Sequence, residues 1–184
     1  YEKAPGNIRI TYPLSNGVIA DIHHMETLVK FFITDLCKGN VKPAEYYVAV
    51  PTDVTKVEKR AFYDLIQNAG VKAKKVMVVE KAVADGLGME IDVKNAQGVL
   101  VVNVGYDTTE ISILSLGGIV LSRLIKVGGQ KFDESIKNAI RKEFSLIVGS
   151  KTAENVKIDL RELEEDKRKA VVYGRDIVTG LPME

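Results

Sequence analysis

The residues best suited to chemistry lie between Gly98 and Gly129. An apolar strand, Val99 to Val104, enters the turn Gly105-Tyr106-Asp107, and Thr108-Thr109 opens a second strand. Leu116-Gly117-Gly118 turns that strand into a third, and Gly128-Gly129 closes the unit. Small residues and hydroxyls at a strand-turn-strand tip suit a phosphate, because backbone N–H groups can converge there and threonines can donate. Gly105, Thr108 and Thr109 are the candidate contacts. The tip also departs from a good cradle. Tyr106 brings bulk, and Asp107 sets a negative charge beside a negative ligand. At about 4 Å that repulsion is on the order of 1–4 kcal/mol, depending on the local dielectric.

Other candidates are weaker. Gly128-Gly129 would let backbone approach a ligand, and Glu154 and Lys157 share one helical face, which is equally a surface ion pair. Thr55-x-x-Glu58 ahead of an apolar-periodic helix reads as a capping box rather than a catalytic acid. His23 and His24 fall in a connecting segment with no second ligand pair, a poor metal case. No Ser/His/Asp or Cys/His arrangement is assembled by motif. The G-x-G-x-x-G fingerprint is absent, as is the basic and aromatic interleaving of an RNA-binding face.

These residues need a scaffold, and periodicity supplies one. Met25, Leu28, Val29, Phe32, Ile33 and Leu36 predict a helix over 25–38, with Cys37 a small core residue on its apolar side. Ala44 to Val50 reads as a strand ended by Pro51. A helix over about 55–69 follows, stopped by Gly70. Val76 to Val79 is a strand leading into a small-residue helix, Glu80 to Leu87. Asn95-Ala96-Gln97-Gly98 is a polar turn and the expected lobe boundary. Strands at 99–104, 109–115 and 119–126 precede an amphipathic helix at 130–145, whose stripe is Phe132, Ile136, Ala139, Ile140 and Phe144. A helix starts at Thr152 and runs to about 160. Arg161 to Lys169 is a charged, solvated linker, and 170–184 forms a hairpin around Gly174. The order predicts an α/β domain with a mixed sheet flanked by helices.

Bulk properties exclude several classes. A net charge of +1 gives no global field for nucleic acid or anionic lipid. The single cysteine precludes an intrachain disulfide and fits a reducing cytoplasm. No run approaches the ~18 apolar residues of a membrane span, and no signal peptide is visible. Tyr1 in place of Met implies a start inside a longer protein.

From Pro5-Gly6-Asn7-Ile8 onward the chain resembles the MreB-like family of actin-like ATPases. The resemblance is carried by Pro13-Leu14 with Asn16-Gly17-Val18-Ile19-Ala20-Asp21, by Val50-Pro51, and by Val57-Glu58-Lys59-Arg60-Ala61. It continues through Ser115-Leu116-Gly117-Gly118-Ile119-Val120, Val127-Gly128-Gly129 and Phe132-Asp133-Glu134. Thr152-Ala153-Glu154 with Val156-Lys157, then Gly174-Arg175-Asp176 with Val178-Thr179-Gly180-Leu181-Pro182, complete it in family order. The resemblance implies an actin-like fold of two ribonuclease-H-like lobes around a nucleotide cleft. Residues 1–96 would belong to the first lobe (subdomain IA), 97–128 would begin the second (IIA), and 129–184 would be its small subdomain (IIB), incomplete. A first phosphate loop is expected before residue 1 and a second adenosine loop after residue 184.

The family's phosphate loop is Asp-Ile-Gly-Gly-Gly-Thr-Thr-Glu, where this chain reads Asn103-Val104-Gly105-Tyr106-Asp107-Thr108-Thr109-Glu110. Asn103 therefore stands at the metal aspartate and brings no charge for Mg²⁺. Lys81, in Glu80-Lys81-Ala82-Val83-Ala84-Asp85, occupies the place of the glutamate that orients the attacking water. An ammonium cannot accept that proton, so its expected role is to compensate charge, pairing with a phosphate or equally with Glu80 or Asp107. No catalytic residue and no metal ligand are expected. Gly128, Gly129, Glu154 and Lys157 would lie on the adenosine side, with Gln130 where the family has aspartate. The implied protein is a cell-shape filament subunit with ATP and magnesium held weakly or lost, a pseudo-ATPase. It would self-associate or co-assemble with an MreB-type paralogue, in the cytoplasm or at the inner membrane face, touching the membrane only indirectly or through other regions. The alternatives are an active polymerising ATPase with Asp107 as metal carboxylate, and a chaperone-type ATPase.

Overall fold

A computed structural model describes residues 5–161 and 170–184. The chain divides into two compact units, Ile10–Lys126 and Val127–Glu184 with the segment up to Arg9.

In the first unit, β1 (Leu14–Ser15) and β2 (Val18–Ile19) pair across Asn16-Gly17. Both turn residues have positive φ, 52° and 81°, as a tight two-residue hairpin requires. Helix α1 (Ile22–Leu36) follows, and Asp21 caps it by accepting the His24 N–H. The histidines expected in a connecting segment are therefore first-turn residues of α1. Their segment became helix because Asp21 supplies the missing acceptor. Cys37, expected in the core, is an exposed C-cap.

Strand β3 (Ala44–Val50) pairs in parallel with β4 (Ala73–Glu80), joined through α2 (Lys56–Asn68). The capping box at Thr55 and Glu58 forms as expected. Phe62, Leu65 and Ile66 on α2 pack with Val50, Val71 and Val76, against Met25, Val29 and Ile33 of α1. Each large side chain so buried contributes about 1.5–3 kcal/mol. Only that row of α1 is covered; Phe32 and Leu36, expected to face inward, are exposed.

Helix α3 (Lys81–Gly88) starts directly where β4 ends. Strands β5 (Val99–Val104), β6 (Thr109–Ser115) and β7 (Gly118–Ile125) then form an antiparallel meander. Ala82 of α3 packs on Val101 and Leu114, which fixes α3 against one face of this sheet. Parallel and antiparallel pairing are thus both present, in separate sheets.

The second unit contains α4 (Gly129–Phe144), β8 (Leu146–Ile147), α5 (Ser150–Arg161), β9 (Gly174–Asp176) and β10 (Pro182–Met183). Ile140, Leu146 and Val148 form its core. Phe132 and Phe144, expected in the stripe, are exposed. The hairpin expected around Gly174 turns instead at Thr179-Gly180, where Asp176 accepts both the Val178 and Thr179 N–H groups. Gly174 is a strand residue, because a Cβ there would sit 2.9 Å from the Ile147 carbonyl oxygen. The charged run expected as a linker lies, beyond Arg161, outside the described residues. Among the described residues no helix is long and apolar enough to cross a membrane.

Candidate functional site

The turn after β5 is closed by its own backbone. The Gly105 N–H donates to the Thr108 carbonyl at 2.9 Å, and a Cβ on Gly105 would lie 3.0 Å from the same oxygen. That position demands glycine. No residue from 105 to 108 has positive φ, so the turn lacks the left-handed residue of an anion-binding nest. It accommodates Tyr106 without strain, and the ring is 58% exposed.

Asp107 is anchored elsewhere. Its Oδ2 accepts the Asn16 N–H at 3.0 Å, tying the turn to the β1–β2 hairpin. A Cβ on Gly17 would meet Pro51 Cγ at 3.2 Å, so hairpin, Pro51 and turn pack closely. Thr109 opens β6 opposite Val104. Glu110 is 3% exposed, and its carboxylate accepts the Thr52 N–H at 3.2 Å and the Thr52 hydroxyl at 2.7 Å. The loop after β3 therefore holds the foot of β6.

Lys81, the first residue of α3, donates from Nζ to Asn103 Oδ1 at 2.9 Å. Asn103 Nδ2 in turn donates to Asp85 Oδ2 at 2.7 Å. A cation and an anion one helical turn apart on α3 are thus bridged by an amide on β5. Of the partners expected for Lys81 within the chain, neither Glu80 nor Asp107 is the one it bonds. Glu80 instead pairs with Lys59 at 2.8 Å, because the β4–α3 junction points it towards α2.

Magnesium fits this set poorly. The carboxamide of Asn103 is neutral and engaged at both ends, and Asp107 is committed to Asn16. Among the described residues no three His, Cys, Asp or Glu side chains gather as a metal site. A hard dication prefers charged oxygen ligands, and an ammonium beside the remaining amide opposes it.

The second unit carries the other candidates. Gly128 is the N-cap of α4 and makes no side-chain cap; Gly129 begins the helix. Lys157 Nζ lies 2.8 Å from Asp133 Oδ1 and 3.4 Å from the Gly129 carbonyl. Asp133 is 6% exposed, and its Oδ1 has no aligned hydrogen bond, so this pair is an electrostatic contact of a buried carboxylate. Glu154 pairs with Lys151 at 2.8 Å, which holds its carboxyl below the usual range. The Glu154–Lys157 ion pair therefore does not form, and Lys157 is brought to Gly129 instead.

Sequence reasoning missed Asp85, Asn16, Thr52 and Asp133. A signal existed for Asp85, four residues beyond Lys81 and so on the same face of α3. None existed for Asp133, whose burial depends on Lys157 of another helix.

This chain matches the family model for MreB/Mbl protein over residues 1–184. It is 39% identical over 183 residues to the cell shape-determining protein Mbl of Bacillus subtilis (strain 168), covering 98% of this chain and 54% of the relative. It is 34% identical over 184 residues to the cell shape-determining protein MreB of Escherichia coli (strain K12), covering 98% and 52%. The crystal structure of MreB5 of Spiroplasma citri bound to ADP superposes with a TM-score of 0.89 at 38% identity, over 99% of this chain and 55% of that one. The MamK double helical filament, at 21% identity and a TM-score of 0.75 over 94% and 53%, shares the fold. The chain spans about half the length of the relatives it matches. The motifs, the fold and a family match along every residue agree, and the chain belongs to the MreB/Mbl family of actin-like ATPase fold.

Proposed function

We propose that this chain is part of a bacterial cell-shape protein that assembles into filaments and hydrolyses ATP weakly or not at all. The observation that carries the second half is the Lys81–Asn103 hydrogen bond of 2.9 Å. It fills the positions that the resemblance gives to the water-orienting glutamate and the metal aspartate with an ammonium and an amide. Neither group can take a proton from water, and the charge that would hold a dication is gone. Filament assembly is supported by the family and by the relatives' names. Partners are further copies or an MreB-type paralogue, in the cytoplasm or at the inner face of the membrane.

Gly105, Thr108 and Thr109 would take the phosphates through the turn that they shape. Assignment of Gly128, Gly129, Glu154 and Lys157 to ribose and adenine, and of residues 1–96, 97–128 and 129–184 to subdomains, rests on the resemblance. The competing reading, with Asp107 as metal ligand, runs against the hydrogen bond from Asn16 that Asp107 already accepts. Sedimentation and electron microscopy of the full-length protein test the proposal. Filaments should form alike with ATP and with a non-hydrolysable analogue. Assembly that cycles only with hydrolysable ATP would refute it.

A further inference from the structure

We propose that the phosphate site of this chain takes its nucleotide without a divalent metal ion, the Lys81 ammonium supplying the positive charge. This rests on the nucleotide reading above and concerns the same site.

Three observations converge. First, Lys81 Nζ is held 2.9 Å from Asn103 Oδ1, so the ammonium occupies the neighbourhood of the side chain that stands for the metal aspartate. Second, Asn103 is itself oriented by Asp85, its Nδ2 donating at 2.7 Å, so the amide cannot rotate freely to present its oxygen to a metal. The carboxylate that would compete for a dication is spent on this amide, one turn along α3. Third, Lys81 opens α3, and Glu80 before it makes no side-chain cap. A cation at a helix N-terminus opposes the helix dipole, so helix stability does not explain the lysine. An anion would.

The charge balance is consistent. A lysine has three donors and uses one on Asn103, leaving N–H groups for phosphate oxygens. Asp107 and Glu110, the acids of the turn and the strand after it, accept from the Asn16 and Thr52 N–H groups, and Glu80, next to Lys81, pairs with Lys59. A fixed ammonium is a single charge, so it binds phosphate but does not provide the coordination sphere that organises a hydrolytic water. Binding without turnover follows from Lys81 and Asn103 together.

The test is a titration of the full-length protein with a fluorescent ATP analogue, once in EDTA and once in excess magnesium. Affinity should agree within about threefold between the two conditions, and Lys81→Met should weaken it tenfold or more in EDTA, the loss of one charge-assisted contact. Lys81→Arg should retain most of it. Should Lys81→Met unfold, the double variant Lys81→Glu with Asn103→Asp provides an independent arm and should make binding magnesium-dependent. Binding by the natural protein that strengthens tenfold or more with magnesium overturns this inference and leaves the nucleotide reading intact. Unchanged affinity in a folded Lys81→Met also overturns it. No binding in either condition removes both.

Discussion

Lys81 on α3 and Asp85 one turn later both bond the same amide, that of Asn103 on β5. The bridge ties the start of α3 to the end of β5, which leads into the turn at Gly105. Because both charges act through one side chain, their effects should not be additive. Lys81→Ala and Asp85→Ala, measured singly and together by denaturant unfolding, should show a coupling of about 0.5–1 kcal/mol. Additivity would mean that the bridge contributes nothing.

The Lys157–Asp133 contact should matter more. Asp133 is almost fully buried, and removing the cation that pairs with it among the described residues leaves its charge poorly compensated. Lys157→Met should destabilise the protein by about 3–5 kcal/mol, whereas the paired change Lys157→Met with Asp133→Leu should recover much of it. Equal losses in single and double variants would contradict this account.

Gly105 serves the turn before it serves any ligand. Gly105→Ala places a methyl 3.0 Å from the Thr108 carbonyl, and the strain should cost about 1–3 kcal/mol. The loss should appear in thermal unfolding without nucleotide. A variant as stable as the natural protein would show that the turn relaxes freely.

The capping box at α2 predicts a pH dependence. Hydrogen bonds from the Thr55 backbone and hydroxyl hold the Glu58 carboxyl below its ordinary value of 4.5. A carboxylate with a depressed folded pKa adds stability above the unfolded value and loses it as pH falls through the folded one. Thr55→Ala should lower stability by about 1 kcal/mol at neutral pH, and the difference from the natural protein should shrink in acid. A difference that stays constant down to low pH would contradict the cap.

Local features were legible in the sequence, and distant ones were not. Thr55 and Glu58 lie within one turn, so spacing alone revealed their cap. The strands β5 to β7 were equally plain, since their apolar runs are bounded by turns at Gly105 and at Leu116-Gly117. Lys81 and Asn103 stood out by the resemblance, but Asp85 did not, because its role depends on which face of α3 lies on β5. Ala82, packed on Val101 and Leu114, sets that face. Likewise the anchor of Asp107 lies on a hairpin far away in sequence, formed by Asn16-Gly17. The exposure of Phe32 and Leu36 could not be read from period either: a helical stripe shows which residues share a side, not how much of that side is covered.

Phosphate release from magnesium-ATP by the full-length protein tests the central claim most directly, measured beside the double variant Lys81→Glu with Asn103→Asp. The account predicts release no faster than in protein-free buffer for the natural protein, with a gain in the variant. Magnesium-dependent release by the natural protein, abolished by Asp107→Ala, would contradict it.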